Sequence, residues 1–467
     1  MGKNSLKEIA ELIEKYDFEW SWYSDYPPTG FWKNDFSEKD YKEALNSLIL
    51  KKNHPISLYF HFPFCPKRCF FCVCPSEITK ETKNVDNFLK YQFKEIDLLM
   101  DFFDKRAFKP NIKLVHLGGG SPSFMNKEQI TNLVQKMSLL VDINKLEEFS
   151  IEIDPRTVDK EKLVHYSELG INRISLGIQD FDDRVQKAVN RVQPKELIEE
   201  LFSSEIRSCF KSINFDLIYG MPLQTRESFK NTVEEVIKFS PDRISTGFMF
   251  YKPELLAHQR IMRPSEIPNF HEKTMMFLEA IQRFTEEGYV MIGIGHFTKP
   301  KDNLAIALKN RTMGRSQMGY TPGVSEDFIG FGPWAMGRIL NYYYQNNHSV
   351  SDYCEVLNNG RFPVFRGYIL SKDEMIRREV IREIICFSSV DYNKIEKKYG
   401  INFMDYFKEE LKSLDFFVKE GMVEKSSDGF DLTYIGRFFQ RHVCTCFDKL
   451  FKEKKKYRHS LHVSNRC

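Results

Sequence analysis

A chain of 467 residues, 42% hydrophobic and 28% charged, has room for one large domain and one or two smaller ones around a sizeable core. Its net charge of +3 points to no polyanionic partner; Lys452, Lys454, Lys455 and Lys456 read as a solvated helix face with a loose tail, so nucleic acid is not expected. No apolar run reaches the ~18 residues of a membrane span and the N-terminus is charged throughout, so the expected compartment is the cytoplasm, with peripheral membrane contact left open. Ten cysteines in that compartment predict metal ligands or reduced core residues, not disulfides.

Residues 1–50 read as an aromatic-rich arm. From 51 to 300 short β-rich runs alternate with amphipathic helical stretches. The runs begin at Ile56, Ile112, Phe149, Arg173, Ser212 and Arg243. Between them lie segments such as Val85 to Phe103, with apolar residues at i, i+3 and i+4. This alternation predicts βαβ units on a parallel sheet, and six of them predict an α/β fold with an open, partial (β/α)6 barrel. In that architecture ligand chemistry gathers at the C-terminal ends of strands. Cys65 to Cys72, Gly118 to Ser121, Asp154 and Gln179 all fall at such ends.

A helix from about Asn269 leads into a strand-like run ending at Phe297, and a glycine-rich loop is predicted from Met318 to Gly337. Residues 301–370 are assigned to a loop region around the substrate. From 371 to 467 the chain reads as an α-rich, winged-helix-like module, with a β-ribbon turning at Ser427-Asp428-Gly429. Fold is not function, and a lid or docking role is favoured there over DNA binding.

The most informative stretch is Cys65-Pro-Lys-Arg-Cys69-Phe-Phe-Cys72-Val-Cys74. Iron–sulfur clusters normally take four thiolates. A loop offering Cys65, Cys69 and Cys72 leaves one iron of a [4Fe-4S] cluster open to bind an amino acid moiety and pass an electron into a sulfonium. A zinc knuckle is the competing reading, but zinc sites pair two such units and no second one is present. Cys444 and Cys446 read as core. Cys74 has three readings: a spare ligand, a structural thiol, or a catalytic hydrogen relay.

The motif resembles the radical S-adenosylmethionine superfamily. The longer string from Tyr59 to Cys74 resembles the oxygen-independent coproporphyrinogen III oxidases and their relatives, and the likeness recurs at HLGGGSPSF, SIEIDPR, RISLGIQDF and FDLIYGMP. It implies a [4Fe-4S] cluster and two S-adenosylmethionine molecules. By resemblance Tyr59 contacts the first molecule, and Gly119, Gly120 and Ser121 form the turn against its amino group. Glu152, Gln179, Arg191 and Asp216 bind the pair, with Glu152 also catalytic, and Phe71 covers the cluster. Phe250, Met318 and Met336 match positions round the second molecule.

Departures from the family strings point to the reaction expected here. An N-terminal arginine is replaced by Trp22, and polar residues give way at Phe248 to Phe250, Met318 and Trp334 to Met336. All four tryptophans (Trp20, Trp22, Trp32, Trp334) lie in these segments. A tetracarboxylate substrate calls for cations and donors, so the apolar drift favours a flat apolar substrate. The expected function is therefore a radical methyltransferase acting on an sp² carbon, with the naphthoquinone ring of menaquinone as substrate. Oxidative decarboxylation of coproporphyrinogen III is the alternative. Expected partners are the quinone or porphyrinogen and a low-potential donor such as flavodoxin or ferredoxin.

Overall fold

The computed structural model describes residues 6–16, 25–293, 295–316, 319–323 and 325–454. Trp20, Trp22 and Met318 lie outside this set. Six parallel strands form its centre: β1 Pro55–Phe62, β2 Asn111–Gly119, β3 Glu148–Ile153, β4 Arg173–Gln179, β5 Ser212–Tyr219 and β6 Arg243–Phe248. They pair in sequence order, as right-handed βαβ connections place them. The strands carry apolar residues on the face that packs under the helices and polar residues such as Asn214 and Asp216 at the positions between. In β5, Ile213, Phe215, Leu217 and Tyr219 are all buried.

The sheet does not end at six strands. Beyond β6 lie β7 Val290–Gly293 and β8 His296–Thr298, with β8 antiparallel to β6. Beyond β1 lie β9 Phe328–Phe331, parallel to it, then antiparallel β10 Met336–Ile339, β11 Tyr342–Asn346 and β12 Val364–Ile369. The result is a twelve-stranded mixed sheet, ordered β12-β11-β10-β9-β1-β2-β3-β4-β5-β6-β8-β7. Asp327 fastens β9 and β10 by accepting from Arg338 Nε at 2.9 Å and the Leu340 amide at 3.1 Å, with His54 Nε2 at 2.7 Å.

The glycine-rich stretch from 318 to 337 carries strands where the sequence reading expects a loop. Glycines there mark close packing in a sheet. A Cβ on Gly330 would strike the Met336 carbonyl, and one on Gly337 would strike the Tyr344 ring.

Helix starts follow sequence-readable caps. Ser37 with Asp40, Asn126 with Gln129, and Ser371 with Glu374 each form a reciprocal capping box. The C-terminal region combines helix Lys372–Phe387 with a three-stranded antiparallel sheet, β13 Ser389–Asp391, β14 Val423–Lys425 and β15 Gly429–Leu432, ordered β13-β15-β14. Arg378 ties it to the main sheet through the Leu340 carbonyl at 3.0 Å. No helix among the described residues is long and apolar enough to cross a membrane.

Candidate functional site

A cavity of about 410 Å³ opens at the C-terminal ends of β1 to β6. The register explains who meets there. Gly177, Asp216, Ser245 and His296 are successive cross-strand partners, and all four line the cavity.

The cysteine loop leaves β1 at Phe62. Phe64–Cys65 pairs in parallel with Glu77–Ile78, closing the loop on itself. Asn190 Nδ2 donates to the Arg68 carbonyl at 2.7 Å, and Phe70 N to the Val189 carbonyl at 2.9 Å. His258 Nε2 stands 2.8 Å from the Cys72 carbonyl, so that nitrogen carries the proton. Cys69 is buried, Cys65 and Cys72 are half-buried and Cys74 is exposed; all four line the cavity.

The trio's chemistry fits an iron–sulfur cluster. Among the described residues no three His, Cys, Asp or Glu side chains converge where a single ion could sit. Three thiols from one short loop, all lining the cavity, suit an iron–sulfur cluster with one iron left to another ligand.

The glycine strand end passes against this loop. Gly119 has φ +111°, and a Cβ there would lie 2.8 Å from both the His61 ring and the Phe62 carbonyl. Gly120 donates to the Phe62 carbonyl at 2.7 Å and Ser121 to the Phe64 carbonyl at 2.9 Å. Only glycine permits such approach in that conformation.

Glu152 accepts from the Gly119 amide at 3.2 Å and faces His116 Nε2 at 3.4 Å. Its side chain is 45% accessible and lines the cavity. Burial raises its pKa, yet the His116 and Gly119 donors outweigh that and hold it below the ordinary carboxylate value. Asp216 goes the other way. Burial raises it, the Glu152 charge adds to this, and Ser175 Oγ (2.6 Å) and Asn214 Nδ2 (2.8 Å) only partly compensate.

Tyr59 stacks on His116, ring centroids 5.9 Å apart, with its hydroxyl 2.9 Å from His61 Nδ1. His61 Nε2 is 3.1 Å from the Pro75 carbonyl, which can only accept. Burial holds His61 neutral, with a pKa of about 4, so Nδ1 accepts from Tyr59. Trp334 lies 6.0 Å from the His61 ring.

The cavity therefore brings together Cys65, Cys69, Cys72, Cys74, Phe71, Gly119, Gly120, Ser121, Glu152, Gln179, Arg191, Asp216 and Phe250. Tyr59 backs its wall through Glu152 and Gly118, while Met336 sits at the start of β10, away from the lining. Sequence reading assigned no role to Arg156 or His258, and noted Asp154 only as a strand end. Asp154 and Arg156 stand together in the string IDPR, the one signal that could have pointed to them.

With this geometry in place, comparison with known proteins is decisive. The radical SAM superfamily model matches residues 59–236, and the HemN C-terminal domain model matches 370–439. The oxygen-independent coproporphyrinogen III oxidase of Synechocystis sp. is 36% identical over 96% of both chains. That of Escherichia coli is 36% identical over 95% of both. The solved structure of coproporphyrinogen III oxidase (HemN) from Escherichia coli superposes with a TM-score of 0.87 at 35% identity, covering 92% of this chain and 97% of that one.

The chain belongs to the oxygen-independent coproporphyrinogen III oxidase family. It is a radical SAM enzyme, and the family implies a [4Fe-4S] cluster and S-adenosylmethionine. This overturns the methyltransferase reading and its menaquinone substrate, because the near-full-length relatives are oxidases. The structure explains how the apolar drift misled. Trp32 is 6% exposed and packs 5.7 Å from Tyr343, so it is core. Met336 is likewise packed against the core rather than lining the cavity. The lining nevertheless includes charged groups, among them Lys67, Arg68, Asp154 and Arg191.

Proposed function

We propose that this enzyme catalyses oxygen-independent oxidative decarboxylation of coproporphyrinogen III, converting propionate side chains to vinyl groups. The observation that carries this is the cavity itself: cysteine trio, glycine turn and acidic strand ends in one space, within a chain matching the oxidases over nearly its whole length. Each conversion removes carbon dioxide, one hydrogen atom and one electron from a propionate, so an electron acceptor is required as well as a low-potential donor.

When bound, the cluster and S-adenosylmethionine supply a one-electron cleavage whose carbon-centred radical abstracts hydrogen. The chain's own residues do the rest. Cys65, Cys69 and Cys72 would each hold one iron of the cluster. Gly119, Gly120 and Ser121 bring backbone close to a bound amino group, and ionised Glu152 offers it a charged acceptor. Asp216, with Ser175 and Asn214 fixing its oxygens, suits a ribose diol. Gln179, Phe71 and Tyr59 complete the first molecule's surroundings. A second S-adenosylmethionine is proposed toward Phe248, Phe250 and His296, and Lys67 offers a cationic partner to a substrate carboxylate.

The test is anaerobic incubation of reconstituted enzyme with S-adenosylmethionine, a reductant and coproporphyrinogen III. Vinyl-bearing product with carbon dioxide and 5′-deoxyadenosine is expected. Cofactor cleavage without loss of carbon dioxide would refute the substrate.

A further inference from the structure

Of the four thiols lining the cavity, Cys69 alone among the described residues accepts hydrogen bonds from guanidinium groups. Arg156 Nη2 lies 3.4 Å from Cys69 Sγ and Arg191 Nη1 lies 3.7 Å from it. The same two side chains share a single carboxylate. Asp154 accepts from Arg156 Nε at 3.0 Å and Nη2 at 2.8 Å, and from Arg191 Nη1 at 2.7 Å. The remaining donors go to neutral acceptors: Arg156 Nη1 to the Asn190 carbonyl, Arg191 Nε to Gln193 and Arg191 Nη2 to the Gly177 carbonyl.

The charge count follows. Two guanidiniums and one carboxylate leave one surplus positive charge in a site where Asp154 and Arg191 are 7% exposed. Buried charge is costly unless paired. The group positioned to pair with it is the Cys69 thiolate, which exists once the residue ligates iron. Among the described residues Cys65 and Cys72 accept no guanidinium hydrogen bond on sulfur, and Arg68 and Arg191 reach Cys72 only through their charge. Arg68, nearest to them in the loop, spends its donors on Ser76 Oγ and the Ser76 carbonyl.

We propose that Arg156, assisted by Arg191, donates to the Cys69 thiolate of the bound cluster and raises its reduction potential. Hydrogen bonds and net charge at the sulfurs are among the determinants of such potentials. Reduction adds one negative charge to the cluster, and the surplus cation stabilises the reduced form more than the oxidised one. Arg156 is thus a positioning and tuning residue, acting through Cys69. The inference rests on the reading of Cys65, Cys69 and Cys72 as cluster ligands.

The experiment is a redox titration of anaerobically reconstituted full-length protein without S-adenosylmethionine, followed by electron paramagnetic resonance, with iron counted separately. Arg156→Met is expected to load iron as wild type does and to lower the midpoint potential. Loss of one charge-assisted hydrogen bond corresponds to about a tenfold change in the oxidised-to-reduced ratio, about 59 mV for one electron. Arg156→Lys, which keeps the charge but not the fork, is expected to fall between the two. An iron-loaded Arg156→Met variant with wild-type potential would overturn the proposal. So would failure of both variants to load iron, which would make Arg156 a builder of the loop. Wild-type protein that gives no cubane signal would refute the cluster itself, a different outcome.

Discussion

At the cysteine end of the cavity, polar groups from different strands are tied together. Asp154 joins Arg156 to Arg191, and Glu152 joins β3 to His116 and Gly119 on β2. Another part of the lining is mostly apolar, formed by Phe248, Met249 and Phe250 with His296. The first wall is shaped for ligands of fixed charge and geometry, so its residue types identify them. The second excludes water, and phenylalanine and methionine do that equally well for a quinone or a porphyrinogen. Polar constellations are specific evidence of chemistry; apolar drift is not.

The sharpest way to break this contrast lies at Cys69. Cys69→Ala is expected to abolish iron binding and S-adenosylmethionine cleavage, measured by iron content and 5′-deoxyadenosine release. Retained cluster would remove the foundation of the polar wall.

Smaller losses are expected one layer out. Glu152→Ala and Asp216→Ala should keep the cluster but lose roughly tenfold to hundredfold in cofactor cleavage, as removal of a charged hydrogen bond predicts. Phe250→Leu, on the apolar wall, should leave cleavage of the first S-adenosylmethionine without substrate nearly unchanged. Equal damage from both walls would erase the distinction between them.

A third expectation concerns stability. Glu95 is buried behind β9, accepting from the Gly332 amide at 2.8 Å, Asn346 Nδ2 at 2.7 Å and Tyr353 at 2.7 Å. Burial pushes its pKa up to about 7 despite these donors. A carboxyl whose folded pKa exceeds its unfolded one binds extra protons in the native state, so its contribution is fullest below the unfolded value and declines as pH rises toward 7. The shift corresponds to at most ~3 kcal/mol. Thermal unfolding of wild type, compared with Glu95→Gln between pH 5 and pH 8, should show the wild type alone losing this increment. Identical pH profiles would refute it.

The smallest effect is expected at Cys74, which is exposed. Cys74→Ser should assemble the cluster, and unfold within about 0.5 kcal/mol of wild type, as surface changes usually do. Loss of iron in this variant would make Cys74 a ligand and undo its contrast with Cys69.

The sequence by itself determined the six parallel strands, the site of the cysteine loop and the residues that gather at the strand ends. Strand–helix periodicity and short-range motif spacing are local properties, and a parallel sheet converts them directly into a shared edge. It did not disclose that residues 328–369 extend the sheet, because those strands run only four to six residues and are broken by glycines that serve close packing. Nor did it disclose the Arg156–Asp154–Arg191 set on Cys69, two of whose members come from the turn just after β3 and the third from the segment before helix Lys195–Leu201. Which cation meets which thiolate depends on strand register and loop closure across 87 residues for Arg156 and 122 for Arg191. Only the tertiary structure fixes those, because burial forces each charge to find its partner in space and not in sequence.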